Sequence, residues 1–90
     1  MRLEVIGREI RSYTDKETKE EKERVALYCV GDPSRKDKEA VTGRITYEFS
    51  LYKGNGLVPD VKALDIPCVI NADISRNGRF LNLEDFELIE

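Results

Sequence analysis

The alternation of apolar and polar positions predicts five β-strands along the chain. The pattern is clearest in "GRITYEFSLY", where Ile45, Tyr47, Phe49 and Leu51 alternate with polar residues, as in a half-buried strand. Between the third and fourth strands, "LVPDVKALDIP" predicts a short helix, because Pro59 suits a first helical turn. The predicted strands span residues 3–13, 25–30, 43–52, 68–75 and 79–89.

Two of these strands interrupt their alternation at a single point. The first loses its phase at Ile6-Gly7, and the last does so at Glu84-Asp85, between Leu83 and Phe86. An extra residue in one strand is a β-bulge, which bends the strand and switches the side that its residues face. The last strand follows Asn77-Gly78, the strongest short signal for a tight hairpin. We therefore predict two long, bent strands, the second beginning in a hairpin.

The charged segment "TDKETKEEKER" has no apolar residue from Thr14 to Arg24. Thr14 and Glu17 have the spacing of a capping box, which is compatible with a helix. A helix without an apolar face has nothing to pack against the core, however. The composition therefore favours a mobile, solvated hairpin tip between the first two strands over a helix.

The order of the elements predicts an all-β fold. Three strands, a helix-bearing connection and a two-stranded hairpin, with bulges where a barrel needs corners, fit a small five-stranded OB-like barrel with a short helix between strands 3 and 4. An SH3-like barrel and an open sheet are the alternatives, and the position of the helix favours the OB type. Residues 1–90 form a single OB-like domain in this interpretation.

The charge of the chain is small overall and uneven along it. The formal net charge is −3, although 37% of the residues are charged. Residues 84–90 contain four acids and no base, so residues 1–83 carry a net charge of +1. An acidic sum does not exclude a local basic face, and a local face is what determines nucleic-acid binding.

Several classes of function have no support in the sequence. The chain has no histidine and no Gly-rich phosphate loop, so we expect no enzymatic activity and no cofactor. Cys29 and Cys68 lie in apolar strands without metal-ligand spacing, which predicts buried free thiols. No apolar run approaches the ~20 residues of a membrane span, and the N-terminus lacks a signal-peptide core. We therefore expect a cytoplasmic protein that does not bind membranes.

Single-strand binding requires cations that follow the phosphates and aromatic rings on which bases stack. If the first strand changes phase at Gly7, one side of the first three strands presents a basic and an aromatic set: Arg11, Tyr13, Arg24, Tyr28, Arg44 and Tyr52. Other candidates lie in the charged segment, after the third strand and around the hairpin turn: Lys16, Lys19, Lys53, Arg76, Arg79 and Phe80. The alternative is that these tyrosines pack under a loop or in a dimer interface, and Tyr47 belongs to the apolar phase of its strand.

In element order the chain resembles the OB-fold single-stranded-DNA-binding proteins. In size and layout it is similar to the small helix-destabilising proteins of filamentous phages, through the charged hairpin tip, the long third strand and the closing "ISRNGRFLNLEDFELI". The resemblance implies sequence-tolerant binding of single-stranded nucleic acid, DNA rather than RNA. We also predict a homodimer, because one small barrel offers little surface. The acidic C-terminal segment departs from the basic excess of those proteins.

A protein-interaction or assembly module, for example in a phage or mobile-element complex, is the alternative function, and RNA binding is another. The arginines Arg11, Arg24 and Arg44 distinguish these hypotheses. Convergence of the three on one surface favours nucleic-acid binding. Ion pairs with Glu9, Glu23 or Glu48 favour the interaction module.

Overall fold

The computed structural model describes residues 1–33 and 39–90. Its elements, in chain order, are β1 (Arg2–Thr14), β2 (Glu21–Gly31), β3 (Ile45–Tyr52), α1 (Val58–Ala63), β4 (Cys68–Asn77) and β5 (Phe80–Leu88). The all-β class and the short helix between the third and fourth strands are thus confirmed. Of the connection between β2 and β3, residues 34–38 lie outside the described residues.

The five strands form one antiparallel sheet in the order β3-β2-β1-β4-β5. Strand β1 is long enough to pair with β2 along most of its length and with β4 over Arg2–Val5. Strands β3 and β5 are the two edges of this order, and they contact each other. No hydrogen-bonded ladder joins these edges in the described ranges, so the sheet is curved and partly open, with an OB-like order.

Both predicted bulges are present. In β1 the pairing passes from Val5 opposite Cys29 to Gly7 opposite Tyr28, so Ile6 is the extra residue. In β5 the pairing with β4 passes over Glu84 in the same way, with a register shift between Asp73 and Ile74. Each bulge returns the next apolar residues to the inner side of the sheet, which explains the interrupted alternation in the sequence.

The charged segment forms a hairpin rather than a helix, as the sequence composition indicated. The two strands of this hairpin are longer than predicted. Strand β2 begins at Glu21 rather than at residue 25, which reduces the turn to residues 15–20. Asp15 organises this turn. Its Oδ1 accepts hydrogen bonds from the backbone N–H groups of Glu17 (2.8 Å) and Thr18 (3.4 Å), and its Oδ2 lies 2.8 Å from the Nζ of Lys22. Backbone pairing therefore continues here without an apolar core.

The core lies against the inner side of the sheet. Its largest fully buried side chains are Phe49, Leu3, Leu27, Leu51, Ile70, Val5, Val25 and Val61, with Cys29 among the smaller ones. Tyr47 belongs to the core, as predicted, and its hydroxyl donates a 2.7 Å hydrogen bond to the carbonyl oxygen of Asp32. Ile10 lies opposite the buried Val25, but its side chain is 47% exposed. The reason is that β4 pairs only with the beginning of β1 and leaves Ile10 without a second neighbouring strand.

Both cysteines are buried free thiols, as predicted. Cys29 on β2 and Cys68 on β4 lie opposite the same residue of β1, Val5, so two strand spacings, about 10 Å, separate their backbones. That separation exceeds the Cα distance of a disulfide. Burial raises the pKa of the Cys29 thiol to about 12 and also raises the pKa of Cys68.

Helix α1 covers one end of the core. Pro59 lies in its first turn, as predicted, and Val61 is its buried residue. The guanidinium of Arg8 donates hydrogen bonds to the carbonyl oxygens of Val61 (3.0 Å) and Leu64 (2.7 Å) at the C-terminal end of the helix. An ion pair between Lys62 and Glu23 attaches the helix to β2. Within the described part of the chain, no helix has the length and apolar character to cross a bilayer.

Candidate nucleic-acid interface

The register places the predicted basic and aromatic residues on one side of the first three strands. Arg11 on β1 lies opposite Arg24 on β2, and Arg24 lies opposite Tyr52 on β3. Residues directly opposite one another share a face, so these three side chains form a row across the outer face. Tyr28 lies on the same face, opposite Gly7 of β1, where a Cβ atom would come within 3.5 Å of its ring.

Each arginine predicted for this face forms an ion pair with a carboxylate. The distances are 2.8 Å from the Nε of Arg11 to Glu9, 3.1 Å from the Nη2 of Arg24 to Glu48, and 3.0 Å from the Nη2 of Arg44 to Glu4. Two of these partners, Glu9 and Glu48, are those that the sequence indicated. Glu4 was missed, because its ion pair with Arg44 joins residues that are 40 positions apart in the chain.

Arg24 is held more firmly than the other two arginines. The hydroxyl oxygen of Ser50 accepts hydrogen bonds from the Nη2 (2.8 Å) and the Nε (3.2 Å) of Arg24. The Arg24 side chain is 30% exposed, compared with 72% for Arg11. Its guanidinium is thus fixed beside Tyr52, with part of its surface open to solvent.

A groove of about 700 Å³ separates the β2–β3 part of the sheet from the β4–β5 hairpin. We use "the groove" for this space, whose lining comprises Arg24, Glu48, Ser50 and Tyr52 on one wall and Asn77, Arg79, Phe80, Leu81 and Asn82 on the other. Tyr52 is 52% exposed and Phe80 is 75% exposed. The groove therefore carries one exposed ring and one arginine on each wall, and Glu48 is the single carboxylate among the described residues that line it.

The β4–β5 turn supplies the second wall. Gly78 has φ of +62°, a conformation that favours glycine, and the turn follows the Asn77-Gly78 signal in the sequence. Arg76 and Arg79 flank this turn and are exposed. In the described ranges, neither of them forms an ion pair.

The remaining predicted residues lie outside the groove lining. Tyr13, Lys16 and Lys19 lie at or near the tip of the β1–β2 hairpin, and Lys53 directly follows Tyr52. Arg44 precedes β3 and lines a separate small cleft with Glu4. Three polar groove residues were missed by the sequence argument: Ser50, Asn77 and Asn82. The sequence marks these three residues only as polar residues in or beside strands. That feature is too common to identify them as part of a binding site.

No group of histidine, cysteine and carboxylate side chains in the described ranges is placed to hold a metal ion. Comparison of the chain with protein-family models, with curated proteins and with solved structures finds no match. The interpretation of the groove therefore depends on its own geometry and chemistry.

Proposed function

We propose that this protein binds single-stranded DNA in the groove, with little dependence on sequence. The observation that carries the proposal is the pair of exposed rings, Tyr52 and Phe80, each accompanied by an arginine in one groove. Aromatic rings accept any base by stacking, and cations beside them follow the phosphates. No cofactor is needed for this activity, and its proposed location is the cytoplasm.

The two walls have different tasks in this mechanism. Arg24, fixed by Ser50, provides a preorganised cation beside the Tyr52 ring. Arg79 has no carboxylate partner among the described residues and is available to a phosphate. Hydrogen bonds from the amide groups of Asn77 and Asn82 to the sugar-phosphate backbone would add affinity without specifying a sequence.

A homodimer is part of the proposal. One OB-type domain engages about 4–16 nucleotides, so a single groove holds only a short stretch of DNA. Two grooves on one particle raise the affinity through effective concentration without any new type of contact. Sedimentation of the free protein and of its complex with DNA would measure the number of copies.

Tyrosine fluorescence provides a direct test, because the chain contains four tyrosines and no tryptophan. Titration with oligo-dT is expected to quench this fluorescence, and the affinity is expected to fall steeply with salt. No quenching, together with no change in the anisotropy of labelled oligo-dT at micromolar protein, would reject the proposal. A parallel titration with oligo-rU measures the preference between DNA and RNA.

The alternative function, a protein-interaction module, is favoured by the ion pairs of the outer face. Arg11, Arg24 and Arg44 each have a carboxylate partner, so this face is close to neutral locally. Polar faces of paired charges are typical of the rims of protein interfaces. Failure of the oligo-dT titration would favour this function over DNA binding.

A further inference from the structure

A second cleft lies at the end of the molecule that carries helix α1. Its volume is about 510 Å³, and its lining includes Asp60, Leu64, Asp65, Phe86, Leu88 and Glu90. We call it the acidic cleft. It shares no lining residue with the groove, because it uses the last residues of β5 whereas the groove uses the first.

The floor of the acidic cleft is apolar and incompletely covered. Phe86 and Leu88 lie opposite Ala72 and Ile70 of β4, which are buried core residues, so all four share the inner side of the sheet. Leu88 is nevertheless 57% exposed. The cleft therefore exposes apolar surface on the side of the sheet that faces the core, where a bound apolar side chain would gain free energy by leaving water.

The rim of the acidic cleft carries negative charge. Asp60, Asp65 and Glu90 line it, and its described lining contains no lysine or arginine. Glu90 is 3.6 Å from Arg2, whereas Asp60 and Asp65 form no ion pair with any described residue. An apolar floor inside a carboxylate rim complements a ligand that carries both apolar and cationic side chains.

Strand β5 also has a free edge beside this cleft. It pairs only with β4, so the backbone N–H and C=O groups on its other side have no ladder partner among the described strands. An extended peptide can add to such an edge through backbone hydrogen bonds and place alternate side chains in an adjacent cleft. The floor residues at positions 86 and 88 and the rim residue at position 90 follow the two-residue period of such a strand.

We propose that the acidic cleft binds an extended segment of a partner protein in which two large apolar residues and a flanking arginine or lysine on each side recur at every second position, so that all four side chains face the cleft. The apolar side chains lie on Phe86 and Leu88, and the cationic side chains pair with Asp60 and Asp65. From position 86 to position 90 a strand spans roughly 13 Å, so a segment of about seven residues covers it and reaches the rim. Binding at this cleft does not depend on the nucleic-acid groove.

The test uses a fluorescein-labelled peptide of sequence RTLTFTR, with blocked ends, titrated with the full chain. Its two arginines, leucine and phenylalanine lie on one face of an extended strand. We expect saturable binding in the micromolar range that shifts the backbone amide resonances of Phe86–Leu88. Two matched peptides serve as controls, ETLTFTE for charge and RTGTGTR for apolar contact, and each should bind at least tenfold more weakly. Equal binding of RTGTGTR would overturn the proposal, since it would show attraction by charge alone.

Two protein variants separate the acidic cleft from general electrostatics. The double variant Asp60→Asn/Asp65→Asn should weaken RTLTFTR binding about tenfold, and Glu17→Gln/Glu20→Gln, which removes two charges from the exposed β1–β2 tip, should not. Both pairs are largely solvent-exposed, so the fold should persist. Equal losses in the two variants, or resonance shifts confined to the groove, would refute the assignment.

A second copy of the chain is the competing occupant. Binding of a second copy would appear as concentration-dependent association in sedimentation that Asp60→Asn/Asp65→Asn abolishes. That result would overturn the assignment of a partner protein to this cleft. Oligo-dT affinity measured on the same double variant should be unchanged. A failure of DNA binding in the wild-type chain therefore remains distinguishable from a failure of the acidic cleft.

Discussion

The two walls of the groove contain the same types of residue in different electrostatic surroundings. On the β2–β3 wall, Arg24 is bound by Glu48 and by Ser50. On the β4–β5 wall, Arg79 is exposed and forms no ion pair with a described residue. The ring on the first wall, Tyr52, is 52% exposed, and the ring on the second, Phe80, is 75% exposed.

The difference suggests that one wall positions the ligand and the other supplies most of the affinity. A phosphate that approaches Arg24 meets the carboxylate of Glu48, which has already neutralised part of the positive charge. A phosphate that approaches Arg79 meets no such competitor on its wall of the groove. We therefore expect substitutions on the β4–β5 wall to have the larger effects on DNA binding.

The largest expected effect comes from removing the more exposed ring. Phe80→Ala should weaken oligo-dT binding by roughly 5- to 150-fold, since a stacked base contributes about 1–3 kcal/mol. Fluorescence anisotropy measures the affinity, and circular dichroism should show an unchanged fold because the ring packs against little of the protein. Leu88→Ala, an exposed apolar residue at the other end of β5, serves as the control and should leave oligo-dT affinity unchanged. Wild-type affinity in Phe80→Ala would show that the groove is not the DNA site.

The second prediction compares Arg79, which forms no ion pair with a described residue, with Arg11, which is paired with Glu9. Arg79→Ala should weaken oligo-dT binding about tenfold at low salt and reduce the slope of log affinity against log salt by about 0.7, the value for one phosphate contact on a single strand. Arg11→Ala should change the affinity less than about threefold, because Arg11 is not among the residues that line the groove and its charge is already paired with that of Glu9. A larger loss in Arg11→Ala than in Arg79→Ala would reverse the assignment of the walls.

The fold was predictable from the sequence at positions where a local pattern of residues is compatible with only one backbone structure. The interrupted alternation at Glu84-Asp85 predicted a bulge, because one extra, unpaired residue returns the following apolar residues to the same side of the strand. Asn77-Gly78 predicted the tight hairpin for an equally local reason. The start of β2 at Glu21 was not predictable from alternation, because its pairing with β1 uses backbone groups that every charged residue also has.

The sequence predicted which candidate residues share one face of the sheet, but it did not predict the groove between the β2–β3 part of the sheet and the β4–β5 hairpin. The alternation and the bulge at Ile6-Gly7 placed Arg11, Arg24 and Tyr52 on one side, and the register confirms this. The ion pair between Arg44 and Glu4 and the approach of the β4–β5 hairpin to β3 connect residues distant in the chain. Such contacts depend on the curvature of the whole sheet, which a local pattern does not determine.

The third prediction tests the competition at Arg24. Glu48→Gln should raise oligo-dT affinity severalfold, because the amide oxygen can still accept a hydrogen bond from Arg24 while the negative charge is removed. The gain should disappear at high salt. Glu87→Gln removes an equal charge outside the groove and is the matched control. Weaker binding by Glu48→Gln would indicate that the carboxylate positions Arg24 rather than competing with DNA.

The smallest expected effect on DNA binding comes from substitution at the tip of the β1–β2 hairpin. There the carboxylate of Asp15 organises the turn, whereas the carboxylate of Glu48 forms an ion pair with an arginine of the groove. The hydrogen bond from Lys22 and those from the backbone N–H groups of Glu17 and Thr18 lower the pKa of Asp15 from 3.8 to about 2. A lowered pKa means that this contribution to the turn is complete above about pH 4 and is lost as the pH falls towards 2. The pKa of Lys22 is raised from 10.5, so the ion pair persists through the alkaline range up to that value.

An NMR titration of the Asp15 carboxyl carbon should therefore give a midpoint well below that of an ordinary aspartate. Asp15→Asn should shift the amide resonances of Glu17 and Thr18 and change oligo-dT affinity at neutral pH by less than about twofold, since none of these residues lines the groove. Glu20→Gln, which removes a carboxylate from the same turn without disturbing the hydrogen bonds of Asp15, is the matched control. An Asp15 midpoint near 3.8 would show that the turn is not held by these contacts. A loss of DNA affinity comparable to that of Phe80→Ala would instead extend the binding surface from the groove to the β1–β2 tip.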